Sequence, residues 1–319
     1  MCGARQLVGL LSLLAAVLSA GCRSLLGENC DSCGDNWVVN VDIWASPEGD
    51  MFIAGYRGHQ GLLRRFDNGA WVPVYEGGSS LRSMWGTSSQ DFFVLDLNTT
   101  LLHYNHGAWE MWVLNGLDAG PAIGQAWTLW GSANHDLFVA GLGGTILHFD
   151  GTAWAPMSTP TTARLNALWG SAHDNIIAVG DQGTILHFDG VAWSLLPSPI
   201  TADLNAVWGA AADDVFIVGE VTSEISHAIL HFDGRTVTTM HEGDKALLGI
   251  HGTGPDRVYA VGAKRNSSSV TGGAFRFDGV TWKEQPVGVG QFLWDVWVNP
   301  DGSYIVVGPD DTIVKRTGS

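Results

Sequence analysis

From about residue 34 onward, short apolar runs alternate with polar punctuation. Runs such as Ile176-Ile177-Ala178-Val179 and Thr184-Ile185-Leu186-His187-Phe188 are rich in β-branched and aromatic residues and are bounded by Gly, Asp and Asn. Runs of four to six such residues predict β-strands. No stretch of helical periodicity competes with them after residue 30. Pairs such as Asp150-Gly151, Asp189-Gly190, Asp233-Gly234 and Asp278-Gly279 predict tight hairpins, because glycine accepts a positive φ.

The runs recur in register. One column holds Trp44, Trp85, Trp130, Trp169, Trp208, His251 and Trp297, at spacings of 39 to 46 residues. A second holds Trp71, Trp109, Trp154, Trp193, Val237 and Trp282, each after an Asp-Gly or Asn-Gly-like turn. Each unit reads as four strands, a to d, with the first column in strand a and the second in strand d. A period near 40 with four strands and repeated Trp predicts a propeller blade. The expected fold is all-β, a seven-bladed β-propeller over residues 34–319. The seventh unit stops after its third strand, whereas residues 34–39 (Gly-Asp-Asn-Trp-Val-Val) look like a turn followed by strand d. The expectation is therefore that this N-terminal strand completes the last blade and closes the ring, pairing edges otherwise left open.

All but three of the fifteen Trp fall in the two repeat columns or in the segment 34–39, so most of the tryptophan is expected to pack blade against blade. A third column, Arg65, His103, His148, His187, His231, Arg276 and Lys315, sits in strand c. A cation or histidine at one place in every blade reads as structural. Its expected partner is the acidic residue before strand b, such as Asp91, Asp136, Asp174, Asp214 or Asp256.

The N-terminus changes the picture. Arg5 precedes an apolar run from Leu7 to Ala20, too short to span a bilayer as a helix. The run ends in Leu18-Ser19-Ala20-Gly21-Cys22, which resembles a bacterial lipobox with its Leu displaced by one position. That resemblance implies a signal peptide over residues 1–21, lipidation of Cys22 including palmitate-type acyl chains, and a linker over residues 22–33. Several acyl chains anchor a protein stably to a membrane. Arg23 follows Cys22; under the sorting rule of enteric bacteria a residue other than Asp there favours the outer membrane. Cys30 and Cys33 form a Cys-x-x-Cys pair. In an oxidising envelope a disulfide is the default, with free thiols or metal and redox chemistry as alternatives that lack further ligands or a βαβ context.

The formal net charge is −16, with Lys and Arg totalling 16 against 32 Asp and Glu. That balance argues against nucleic acid as a partner, since a phosphate backbone would be repelled. Phosphate loops, nucleophile elbows and Rossmann fingerprints are absent, so no cofactor is expected.

The repeat at residues 169–190, Trp-Gly-Ser-x-x-Asp continuing to Gly-Thr-Ile-Leu-His-Phe-Asp-Gly, resembles those of bacterial secreted propeller lipoproteins. More loosely, it is similar to kelch-like, Asp-box and photosystem-assembly-factor propellers. The resemblance implies the fold and a cell-envelope location, and it leaves the activity to be argued from a site.

The site expectation comes from loop lengths and stray aromatics. The d–a and b–c connections vary in length, through the long stretch between Trp109 and Trp130 and through insertions at 220–227 and 264–271. In a propeller these connections share one face, which makes it the candidate binding face. Trp112, Trp127 and Trp294 lie outside the columns. Trp127 and Trp294 sit three residues before the strand-a Trp, the position filled by Arg82, Asn166, Asn205 and Leu248 in other units. Arg82, Trp127, Asn166, Asn205 and Trp294 are the candidate ligand-binding residues, expected at the mouth of the central channel. The expected function is a non-catalytic binding or scaffold module for protein, peptide or glycan. A glycan-active enzyme and an assembly factor for a membrane complex are the alternatives.

Overall fold

A computed structural model of the chain describes residues 37–114, 126–221, 226–265 and 269–318. The signal-peptide, lipidation and Cys30/Cys33 expectations therefore lie outside the described residues.

The described chain forms seven antiparallel sheets, six of four strands and one of three. The innermost strands are Val38–Ala45, Leu81–Ser88, Ala126–Ala133, Leu165–Ala172, Asp203–Ala211, Ala246–Gly254 and Asp295–Val298. Each contacts the next, and the last contacts the first, so the sheets close into a ring. The fold is the seven-bladed β-propeller that the repeat predicts.

The core lies between blades. Phe93 and Leu95 of blade two pack with Leu129, Leu137 and Val139 of blade three, and Ile43 and Ile53 of blade one pack with Ile305 and Val307 of blade seven. A single sheet cannot cover both of its faces, and the ring supplies a neighbour for each. Second strands such as Asp91–Asp96 and Tyr304–Val307 are buried along their whole length, whereas outer strands such as Ala70–Gly77 are mostly exposed.

The Trp-Gly pair of the repeat has a packing cause. A Cβ on Gly170 would lie 2.6 Å from the Trp130 ring, and one on Gly209 would lie 2.5 Å from Trp169. The indole of one blade thus lies on the bare backbone of the next. His251, which replaces Trp in blade six, stacks on Trp297 at 4.1 Å, and its Nδ1 accepts the Val298 N–H at 3.1 Å. Burial pushes His251 down to about 3, so it stays neutral and able to accept.

The strand-c column is structural, with a shift of register. His103 bonds Asp91 at 2.8 Å, His148 bonds Asp136 at 2.6 Å, His231 bonds Asp214 at 2.7 Å and Arg65 bonds Asp50 at 2.8 Å. In blade four His187 bonds Asn175 at 2.6 Å, not Asp174. The partner lies six residues after the inner Trp; Asp174 and Asp256 lie five after it and miss the register. In blade six that sixth place holds Arg257, and among the described residues Asp256 makes no pair with Arg276.

The closing strand is also corrected. Val38 and Val39 begin the innermost strand of blade one, opposite Arg57 and Tyr56, and the last sheet has three strands among the described residues. Residues 34–36 lie outside those described. The physical reason is reach. Only seven positions separate Trp37 from Trp44, against 14 to 21 between a strand-d position and the next inner Trp elsewhere. So few residues cannot run from the rim of one blade to the axis of the next. Side chains and stray backbone groups hold this junction instead. Asn40 N–H donates to Gly308 O at 3.1 Å, Asp311 N–H donates to Val38 O at 3.0 Å and Asn40 Nδ2 donates to Thr312 O at 3.1 Å. Arg64 bonds both Asn40 Oδ1 and Asp311.

Candidate binding site at the axial mouth

Six of the innermost strands carry a β-bulge at the same place. Val41, Arg82, Trp127, Asn166, Asn205 and Leu248 are each skipped in the ladder with the second strand. In blade seven Trp294 directly precedes the inner strand, and its N–H donates to Val307 O at 2.8 Å. A bulge inserts one residue without a cross-strand partner and re-aims its side chain. Here the re-aimed side chains converge. All seven, together with Arg164, line one cavity of about 120 Å³. One residue from every blade puts that cavity on the ring axis.

The structure thus brings together Arg82, Trp127, Asn166, Asn205 and Trp294, the five candidates of the sequence. Trp112 is elsewhere, packed between blades against Phe93 and Phe149. The expected insertions in blades five and six extend hairpins, pairing Glu220 with His227 and Lys264 with Thr271.

The chemistry of the mouth is donor-rich. The Arg82 guanidinium lies over the Trp127 ring at 4.4 Å, and that of Arg164 lies over the same ring at 4.9 Å, both within cation–π range. Arg164 is neutralised by Asp181 at 2.9 Å. Arg82 is 8% exposed, and its Nε and Nη2 have no hydrogen-bond partner among the described residues. Burial, with the nearby Arg164 charge, pulls it down to about 10 against the opposing effect of Tyr56, so it remains a cation at neutral pH. The indole Nε1 groups of Trp127 and Trp294 are buried and unpaired as well. Asn166 Nδ2 donates to Asp181 at 3.0 Å and to Leu204 O at 2.9 Å, and Asn205 Nδ2 donates to Leu247 O at 2.8 Å. Both amides are thereby fixed to neighbouring groups, leaving their oxygens for a ligand.

One residue further along the inner strands, the ring holds Asp42 and Asp295. Asp42 accepts the Met84 N–H at 2.5 Å, and Asp295 accepts the Ile43 N–H at 3.1 Å. Burial pushes Asp42 up to about 6, and burial together with the Asp42 charge pushes Asp295 well up. The two buried carboxyls act on each other, and neighbouring carboxylates resist both being ionised, which favours one shared proton.

Arg164 and the Asp42–Asp295 pair escape a column reading. Arg164 precedes its strand, outside every repeat column. The aspartates carried a signal: the position two before the inner Trp is acidic only in blades one and seven, which meet at the closure.

No protein-family model and no curated protein matches the chain. Among solved structures, YCF48 from Cyanidioschyzon merolae is similar at 16% identity, with a TM-score of 0.64 over 89% of this chain and 96% of that one. A structure of YCF48 bound to D1 peptide matches at 13% identity and TM-score 0.64, over 88% and 95% of the two chains. The WD40 propeller domain of Doa1 matches at 12% identity and TM-score 0.66, over 88% and 93%. At these identities the likeness speaks to architecture alone, and it agrees with the strand topology: the chain is a seven-bladed β-propeller.

Proposed function

We propose that this chain is a non-catalytic binding or scaffold propeller of the bacterial cell envelope, tethered by a lipid on Cys22 in the outer membrane, that takes a protein or peptide ligand at its axial mouth. The observation that carries this reading is the convergence of six bulged residues and Trp294, one per blade, on a single cavity whose wall includes the unpaired Arg82. The cavity is too small for a whole drug-sized ligand, which favours a protruding peptide group over a glycan chain. The D1 peptide bound by YCF48 gives a precedent for peptide recognition on this architecture.

A photo-crosslinking residue at Leu248 in the membrane-associated full chain tests the reading. A discrete peptide or protein adduct is expected, weakened by Trp294→Ala and absent when the probe is moved to the exposed Val191. Equal labelling from both positions overturns it. For the anchor, palmitate labelling is expected in the parent and absent in Cys22→Ser; labelling that survives in Cys22→Ser overturns the lipid assignment.

A further inference from the structure

We propose that the axial mouth recognises a carboxylate, gripped edge-on by Arg82, and so selects peptides that present an acidic side chain or a free chain end. The inference rests on the peptide-binding reading above and adds the chemical group that is read.

Nε and Nη2 form one edge of a guanidinium, the edge that offers two parallel N–H bonds to a carboxylate. Both atoms of that edge in Arg82 are buried without a partner among the described residues. The other buried arginine of the ring behaves differently. Arg64, 6% exposed, also has an unpaired Nε, but its Nη2 is met by Asn40 and by Asp311. Leaving a charge buried and unpaired is unfavourable for folding, so Arg82 marks a place where an anion is to come from outside. The flat face of its guanidinium is held against Trp127, which fixes the plane in which the edge points. The second cation, Arg164, is already engaged by Asp181 and leaves Arg82 as the free charge.

Size and field agree. A cavity of about 120 Å³ holds roughly the volume share of four waters, enough for a carboxyl group and an adjoining methylene. The whole molecule carries −16 and repels anions at long range, so capture is local. Added salt is expected to speed association by screening that repulsion.

The test uses the full chain purified in detergent and immobilised, with three pools of random hexapeptides quantified by mass spectrometry. One pool has free C-termini and no acidic residue; one is amidated with a single Glu; one is amidated and lacks acids. At least tenfold greater retention of an acidic pool over the neutral pool is expected, and which acidic pool is retained tells a chain end from a side chain. Arg82→Met should abolish the difference while its melting temperature holds or rises, and Arg82→Lys should retain an intermediate part. Equal retention of neutral and acidic pools overturns the carboxylate inference and leaves peptide binding standing, as does acidic retention unchanged in Arg82→Met. Retention of no pool by the parent overturns both.

Discussion

Three ionisable side chains near the axis are held under strain of a purely electrostatic kind. Arg82 lacks an anion, and Asp42 and Asp295 are pressed together with one proton between them. The pair has a thermodynamic signature. Its folded pKa values lie above the ordinary value of about 3.9, so the folded state keeps a proton that the unfolded chain has released. Stability from this pair is therefore greatest below pH 4 and is lost as pH rises towards and through about 6. In Asp295→Asn the amide oxygen still accepts from Ile43 N–H and the amide NH₂ donates to Asp42. The variant should melt higher than the parent at pH 8, by on the order of 1–3 kcal/mol, and the gap should close towards pH 4. Thermal melts between pH 4 and 8 check this; a constant gap, or none, would count against the shared proton. The residue-level columns were legible because every blade repeats them. The aspartate pair showed only as one repeat position that turns acidic in blades one and seven, because it arises where two unlike ends of the repeat meet.

At the level of single strands, two local devices do the positioning. Gly131, Gly170, Gly209 and Gly252, each directly after the inner-column residue, make room for the indole of the preceding blade. Gly170→Ala drives a Cβ into Trp130 and should cost about 1–3 kcal/mol, read as a lower denaturant midpoint. Gly254→Ala, whose nearest neighbour is Asp256 at 3.7 Å, should be close to neutral. The second device is the hydrogen bond from strand c to the start of strand b. Asn175→Ala removes the partner of His187 and should cost about 0.5–1.5 kcal/mol, whereas exposed Asp174→Ala should stay within about 0.5 kcal/mol. The opposite order would restore the Asp174 assignment. Counting from the inner Trp would have given the right residue; counting acids did not. The bulges were not legible at all, because a bulge shows only in the pairing of two strands. The sequence nevertheless marked their positions, since irregular side chains at one repeat position signal that packing does not dictate them.

Across the whole ring, six blade junctions are crossed by the chain, and the seventh is held, among the described residues, by noncovalent contacts alone. Asn40 is its centre, 1% exposed and engaged through its backbone N–H, its Nδ2 and its Oδ1. Asn40→Ala leaves Arg64 short of a partner and should destabilise by about 2–4 kcal/mol, with faster unfolding as the main kinetic change. Stopped-flow unfolding checks it, and an unchanged unfolding rate would mean that the junction opens only after the rest of the ring. The count of seven and the order of strands followed from the spacing of one aromatic column. The mode of closure did not: residues 34–39 resemble an outer strand, and only the seven positions between Trp37 and Trp44 show that the segment is too short to be one.

The bulges separate two tasks that most folds entangle. A residue outside the ladder contributes little to pairing, so Val41, Arg82, Trp127, Asn166, Asn205, Leu248 and Trp294 differ in size, polarity and charge while the strands around them keep one pattern. The ring therefore works as a seven-tumbler lock whose key can be recut one position at a time without remaking its barrel. A lineage of such propellers can change what it recognises without disturbing its strand pairing, and an engineer can exploit the same freedom by randomising those seven codons together.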